Sequence, residues 1–311
     1  MNELISSRDA FGKALVEVGK ENKDMVVLTA DLAEATRTYL FAKEFPKRFF
    51  NFGIAEQNMT ATAAGFATCG KIPVVATFAI FAAGLAWEVI RLTIGYTGLN
   101  VKIVGTHAGL GPSLDGPSHQ MNEDIALMRA IPNMTVIVPS DAIETEKVLK
   151  AAIDYPGPVY LRISRTPIPV FNTPDYQFQI GKAIVLRKGE DITIISCGIM
   201  VSRVLESAER LSKKGIEAEV INLPTLKPLD EESLLSSASK TKRVLTVEEH
   251  SLIGGLGNTV AMTLLGRVKD ISFQSIGIPD CFGETGETEK VFSKFGLTVE
   301  NIVDTAKKMI S

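Results

Sequence analysis

VKIVGTHAGLGPSLDGPSHQ, residues 101 to 120, joins two kinds of pattern in one stretch. The opening VKIVG reads as a short buried strand. The fifteen residues after it carry His107, Asp115 and His119 among glycines and prolines that rule out a regular helix or strand. A strand running into a polar, turn-rich loop is where open α/β sheets build sites, beyond the carboxyl ends of their strands. Bare spacing leaves two readings open. The three side chains could converge on a cleft, or Asp115-Gly116-Pro117 could form a plain turn while the histidines satisfy backbone groups. A metal centre is disfavoured, because two histidines with eleven residues between them and one aspartate lack the usual ligand spacing.

Outward from this segment, β-rich apolar runs alternate with helical patterns, the signature of parallel sheets covered by helices. Strands are expected at 25–29, 49–52, 74–77, 101–105, 135–138 and 159–163. Helices are expected at 8–20, 55–68, 85–96, 123–130 and 142–153, with Gly70 supplying a left-handed cap after the second. Between Arg165 and Gly181 the pattern stops in a proline-bearing, turn-rich stretch. A second, smaller α/β unit follows, with strands at 192–196, 219–222, 244–247 and 271–276 and helices at 201–213, 231–239, 257–265 and 299–309. The fold class is therefore α/β with two parallel-sheet domains, 1–171 and 182–311, joined by a linker at 172–181.

Composition narrows the function. At 311 residues the chain is long enough for two cores. Its 45% hydrophobic and 22% charged content is that of a globular protein, and a net charge of -3 argues against nucleic-acid or anionic-membrane partners. The longest membrane-like run, Ile72 to Trp87, is shorter than the roughly 20 residues a spanning helix needs. Charges near the N-terminus replace the apolar core of a secretory signal, and Cys69, Cys197 and Cys281 suggest neither a disulfide framework nor a zinc site. A cytoplasmic protein acting on small molecules is expected.

Three further segments carry chemistry or fail to. NFGIAEQNM, 51 to 59, puts Glu56 in the first turn of an otherwise neutral helix: either a carboxylate favoured by the helix dipole, or an acid or base in an apolar setting where burial raises its pKa. TFAIF, 77 to 81, sets Phe78 and Phe81 three apart, as core or as a slot for a flat heteroaromatic ring. HSLIGGLGNTV, 250 to 260, lacks the third glycine of a dinucleotide fingerprint, so tight helix–strand packing is expected there.

Together these segments resemble the transketolase family, specifically its C-terminal half: a pyrimidine-binding domain followed by a small C-terminal domain. GIAEQNMTATAAG resembles the stretch whose glutamate faces the aminopyrimidine of thiamine diphosphate, and ATFAIF the one whose phenylalanines lie against that ring. THAGLGPSLDGPSHQ resembles the substrate loop, YLRISR and SSRDAFGKAL the segments with phosphate-contacting arginines, and VEEHSLIGGLG and FGETGETEKVFSKFGLT the C-terminal domain. The diphosphate-anchoring GDG segment has no counterpart here. The resemblance therefore implies half an enzyme, its diphosphate and Mg²⁺ ligands carried by a separate N-terminal subunit in an α2β2 assembly.

What the resemblance implies for single residues is specific. Glu56 hydrogen-bonds the pyrimidine; Phe78, Phe81 and Asp31 complete the cofactor site. Glu56 and His119 are catalytic, and Arg8, His107, Asp115, His119 and Arg165 bind a sugar phosphate whose two-carbon ketol unit passes to an aldose phosphate, as in the pentose phosphate pathway. Ala35 departs from the family, standing where a phosphate-touching serine is common, as do Ser113 and Leu114 before the aspartate. Rival readings are the β subunit of a 2-oxo acid dehydrogenase, a 1-deoxyxylulose-5-phosphate synthase-like enzyme, and a catalytically silent scaffold subunit.

Overall fold

The computed structural model describes residues 3–310; Met1 and Asn2 of the expected first domain and Ser311 of the second lie outside them. Among the described residues the first sheet has seven strands. Met25–Thr29, Phe49–Asn51, Ile72–Phe78, Lys102–Thr106, Val159–Arg162 and Thr135–Ile137 run parallel, so their carboxyl ends open on one side. Five of the strands, Met25–Thr29, Ile72–Phe78, Lys102–Thr106, Thr135–Ile137 and Val159–Arg162, are buried almost throughout, as both faces are covered. Helices Ser7–Glu21 and Ala142–Asp154 pack on one face around Phe11, Leu15, Val148 and Leu149. Helix Glu56–Thr68 and the helical coil from Ile80 onward cover the other around Met59, Ala63, Ile90 and Ile94.

The second sheet has five strands among the described residues, with Ile192–Ser196 between Ala218–Asn222 and Arg243–Ser251, and Ser272–Ile278 at one edge. The α/β architecture agrees with the sequence reading, and most strands fall within a residue or two of expectation. Four short strands were not anticipated. Ile184–Arg187 forms an antiparallel edge on the second sheet. Thr225–Lys227, from beyond the expected linker, crosses back to close the first sheet antiparallel to Thr135–Ile137. Leu4–Ser6 pairs with Pro167–Pro169, inside the stretch read as irregular; an edge pairing tolerates prolines because a missing donor on the outer side costs nothing.

One apolar cluster extends across both sheets, taking in Val136 and Val138 from the first and Ile195, Ile221, Leu223 and Val260 from the second half of the chain. Charged groups also bridge the halves. Buried Asp124 accepts both Arg162 Nε, 3.0 Å away, and the Tyr160 hydroxyl at 2.8 Å, while Arg162 Nη2 donates to the Glu249 carbonyl at 2.8 Å. Glu144, at the start of helix Ala142–Asp154, accepts from Asn222 Nδ2 at 2.9 Å and from the Tyr176 hydroxyl. Among the described residues no helix is long and apolar enough to cross a membrane.

The segment expected as one helix from 85 to 96 starts earlier and is wound differently. Ile80–Leu85 and Ile90–Gly95 make wide i→i+5 turns, with Trp87–Val89 between them. Such turns are rare and favour functional sites, and apolar spacing alone cannot distinguish them from an α-helix.

Candidate active site

Parallel strands gather the singled-out residues at one sheet end. Asp31 follows Met25–Thr29, Glu56 follows Phe49–Asn51, Phe78 ends Ile72–Phe78, His107 follows Lys102–Thr106, and Arg165 follows Val159–Arg162. Arg8 joins them because helix Ser7–Glu21 is pinned there: the Ser7 hydroxyl and the Arg8 N–H both donate to the Ser164 carbonyl. Ser6 caps that helix, accepting the Asp9 N–H at 3.1 Å.

A cavity of about 330 Å³ opens between Asp31, Glu56 and Phe81, walled by Ala30, Ile54 and Leu85. Glu56 is 4% exposed, and its carboxylate makes no hydrogen bond or ion pair among the described residues. Burying a carboxylate without a partner is costly, so such a group persists where it faces a ligand. Asp31 holds a left-handed backbone, φ 59°, and donates its N–H to Asn51 Oδ1, which also accepts from Gly53. Asn51 thus ties together the two loops that carry Asp31 and Glu56. A non-glycine residue held at positive φ is a strained choice that clusters at sites of function.

From the cavity a line of rings leads inward. Phe81 and Phe78 lie nearly parallel with centroids 5.8 Å apart, and His119 stands edge-on to both at 6.0 and 6.2 Å. The two phenylalanines do not share one slot, however. Phe81 lines the cavity, whereas the Phe78 ring is stacked under His107 at 3.9 Å. His107, itself at φ 57°, is 2% exposed. Burial, reinforced by Arg8, Arg165 and Arg37, pushes its pKa down to about 3. The tautomer follows from the partners. Arg8 Nη1 can only donate to Nε2, 3.4 Å away, so the proton sits on Nδ1, which faces the Thr106 hydroxyl at 2.9 Å.

Beyond His107 lie the arginines. Arg165 Nη1 pairs with Asp115 at 2.7 Å, so these two residues meet directly in the ligand-free chain. Asp115 and His119 sit on tight turns closed on Pro112 and Gly116, the latter at φ 79°. Sequence reasoning missed what fixes this loop. Glu249 Oε1 accepts the Leu110 and Gly111 N–H groups at 2.7 and 3.0 Å, and its Oε2 faces Arg162 Nη1 at 3.8 Å. Burial pushes the Glu249 carboxyl up to about 7 despite Arg162 and those two donors. Two consecutive glutamates in the apolar run VLTVEEH were the available signal. The other, Glu248, accepts the Leu256 and Gly257 N–H groups, so the helix after the glycine-rich turn has its N-terminus already satisfied. A Cβ on Gly257 would overlap the Ser275 hydroxyl, in keeping with the expected tight packing.

Comparison with known proteins places this arrangement. The pyrimidine-binding domain of transketolase matches residues 3–169 and the transketolase C-terminal domain matches 181–302. The chain belongs to the transketolase family. A putative transketolase C-terminal section from Methanocaldococcus jannaschii is 48% identical over 297 residues, covering 95% of this chain and 93% of that protein. A 6-deoxy-6-sulfo-D-fructose transketolase subunit from Clostridium sp. is 41% identical over 302 residues, 97% of this chain and 94% of the relative. A solved split-gene transketolase, described as an inactive beta4 tetramer, superposes with a TM-score of 0.92 at 49% identity, covering 98% of both chains. This transketolase-family chain thus corresponds to a C-terminal subunit, and its pyrimidine-binding domain implies binding of thiamine diphosphate.

Proposed function

We propose that the chain is the C-terminal subunit of a thiamine-diphosphate-dependent transketolase, moving a two-carbon ketol unit from a ketose phosphate to an aldose phosphate. The observation that carries this reading is Glu56: a buried, unpartnered carboxylate in a cavity with an aromatic wall, Phe81. An aminopyrimidine fits those residues, since its ring nitrogen accepts a hydrogen bond from the protonated Glu56 carboxyl, or donates one to the carboxylate once it has taken that proton, and its face packs on Phe81. Thiamine diphosphate, held against Glu56 and Phe81, would supply a nucleophilic carbon for ketol transfer. The rest is the work of this chain. Glu56 polarises the pyrimidine, Phe81 grips it with Phe78 behind, and Asp31 borders the same cavity. His119, edge-on to both rings, holds the donor's reacting oxygens and assists proton transfer. Asp115 reads the hydroxyl beside the reacting carbon, released for that task when Arg165 turns to a phosphate. Arg8 and Arg165 bind that phosphate by charge-assisted bonds, and neutral His107 accepts from Arg8 and keeps it aimed.

A separate N-terminal subunit supplies the diphosphate and Mg²⁺ ligands in a cytoplasmic α2β2 assembly. Exposed Ile54 and Leu85 at the cavity rim, with Leu92 and Tyr96 along the same helical coil, support a covered face there. The relative that acts on a sulfofructose shows how far the sugar can vary within such subunits. The test is reconstitution with the candidate N-terminal subunit, Mg²⁺ and thiamine diphosphate. Turnover of xylulose 5-phosphate with ribose 5-phosphate is expected from the pair, and turnover by this chain alone refutes the half-enzyme reading. Glu56→Gln is expected to cut the reconstituted rate by about 10²- to 10⁴-fold; an unchanged rate removes Glu56 from the chemistry.

A further inference from the structure

Arg37 lies beside the arginines already described, and neither motif nor family match assigns it a role. It closes the short helix Ala33–Thr36 with a left-handed backbone, φ 67°. Its Nε donates to Asp9 Oδ1 at 2.6 Å, and Arg8 Nε stands 4.0 Å from that same oxygen. Gly12 makes the approach possible, since a Cβ there would overlap the Arg37 Cβ. Arg37 Nη1 is spent on the Glu34 carbonyl at 3.1 Å, and Arg8 Nη1 on the Ala35 carbonyl and His107. Nη2 of Arg8, Arg37 and Arg165 has no hydrogen-bond partner among the described residues, and Arg8 Nε is buried without one.

Charge points the same way. Three guanidinium groups face two paired carboxylates, Asp9 and Asp115, leaving one positive charge uncompensated. Partial burial would lift the Asp9 carboxyl, but hydrogen bonds from Ser6 and Arg37 hold it below its usual range, so the pair stays charged. The Arg8 guanidinium is itself weakened by burial and by its neighbours Arg37 and Arg165, the situation an anion relieves.

We propose that Arg37 is a specificity-determining residue: with Arg8 and Arg165 it binds the terminal phosphate of the sugar, supplying a charged donor where Ala35 offers no hydroxyl. This rests on the sugar-phosphate reading above. Asp9 orients the Arg37 fork and leaves Nη2 for a phosphate oxygen, so the site selects for charge at the sugar's end.

Isothermal titration of the full chain with ribose 5-phosphate, ribose and inorganic phosphate tests it, using Arg37→Gln, Arg37→Lys and Arg8→Gln. Loss of one charge-assisted bond is expected to weaken ribose 5-phosphate and phosphate about tenfold or more in Arg37→Gln, with ribose unaffected. Arg37→Lys, which keeps the charge without the fork, is expected to fall between, and decides the matter should the glutamine variant melt early. Weakening by Arg8→Gln with wild-type affinity in both Arg37 variants overturns the role of Arg37 and leaves the phosphate site standing. No effect of either arginine, or no binding of ribose 5-phosphate by the wild-type chain, overturns both.

Discussion

Gly109→Ala perturbs the junction between the loop of residues 106–120 and the second half of the chain, and its cost can be worked from the geometry. Gly109 has φ 65°, and an alanine in that left-handed conformation costs about 1–2 kcal/mol. A Cβ there would also overlap the carboxylate of Glu249. Displacing a packed, buried group adds about 1–3 kcal/mol, for a total of about 2–5 kcal/mol. If Glu249 swings away, the bonds from Leu110 and Gly111 go with it, and each adds about 0.5–1.5 kcal/mol. Gly70→Ala is the internal control. Its φ is 79°, but its Cβ would meet nothing within 4 Å, so only the backbone term of about 1–2 kcal/mol applies. Urea denaturation at neutral pH, followed by circular dichroism, reads the difference directly. Gly109→Ala is expected to exceed the control by at least about 1 kcal/mol. Equal costs in the two variants refute the claim that Glu249 is fixed against this loop.

Two more predictions follow from buried groups. The pKa of His107 lies near 3 when folded against about 6.5 when unfolded, so the unfolded chain takes up a proton first on acidification. Its contribution to stability is complete above pH 6.5 and is lost as pH falls from there towards 3. In an NMR titration the His107 ring should stay neutral through pH 5, and a midpoint near 6.5 would contradict its burial. Arg162→Met leaves Asp124 buried without its cation and is expected to cost about 3–5 kcal/mol in the same denaturation assay. A loss below about 1 kcal/mol would mean the pair is dispensable.

The repeating strand–helix pattern was legible because buried parallel strands such as Met25–Thr29 and Ile72–Phe78 are nearly continuous apolar runs, whatever their partners. Thr225–Lys227 was not, since three residues carry no period and their place depends on a sheet formed some ninety residues earlier. In the site, Glu56, His107 and His119 stood out because each is a polar group in apolar or turn-rich surroundings. Arg37 did not: in ATRTY it reads as an ordinary surface charge, and only the missing Cβ at Gly12 and the reach of Asp9 bring it inward. Phe78 was legible as an aromatic near the site but not as the floor under His107, because stacking across two strands leaves no trace in linear spacing.

The crossing of Thr225–Lys227 into the first sheet bears on how such a chain can be divided. Cutting near residue 181 would strip the hem from strand Thr135–Ile137 and lay open the apolar seam running from Val136 to Ile221. A division that keeps residues 135–137 and 225–227 on one chain leaves that stitching intact, whereas one between the halves would ask each fragment to survive with a raw edge.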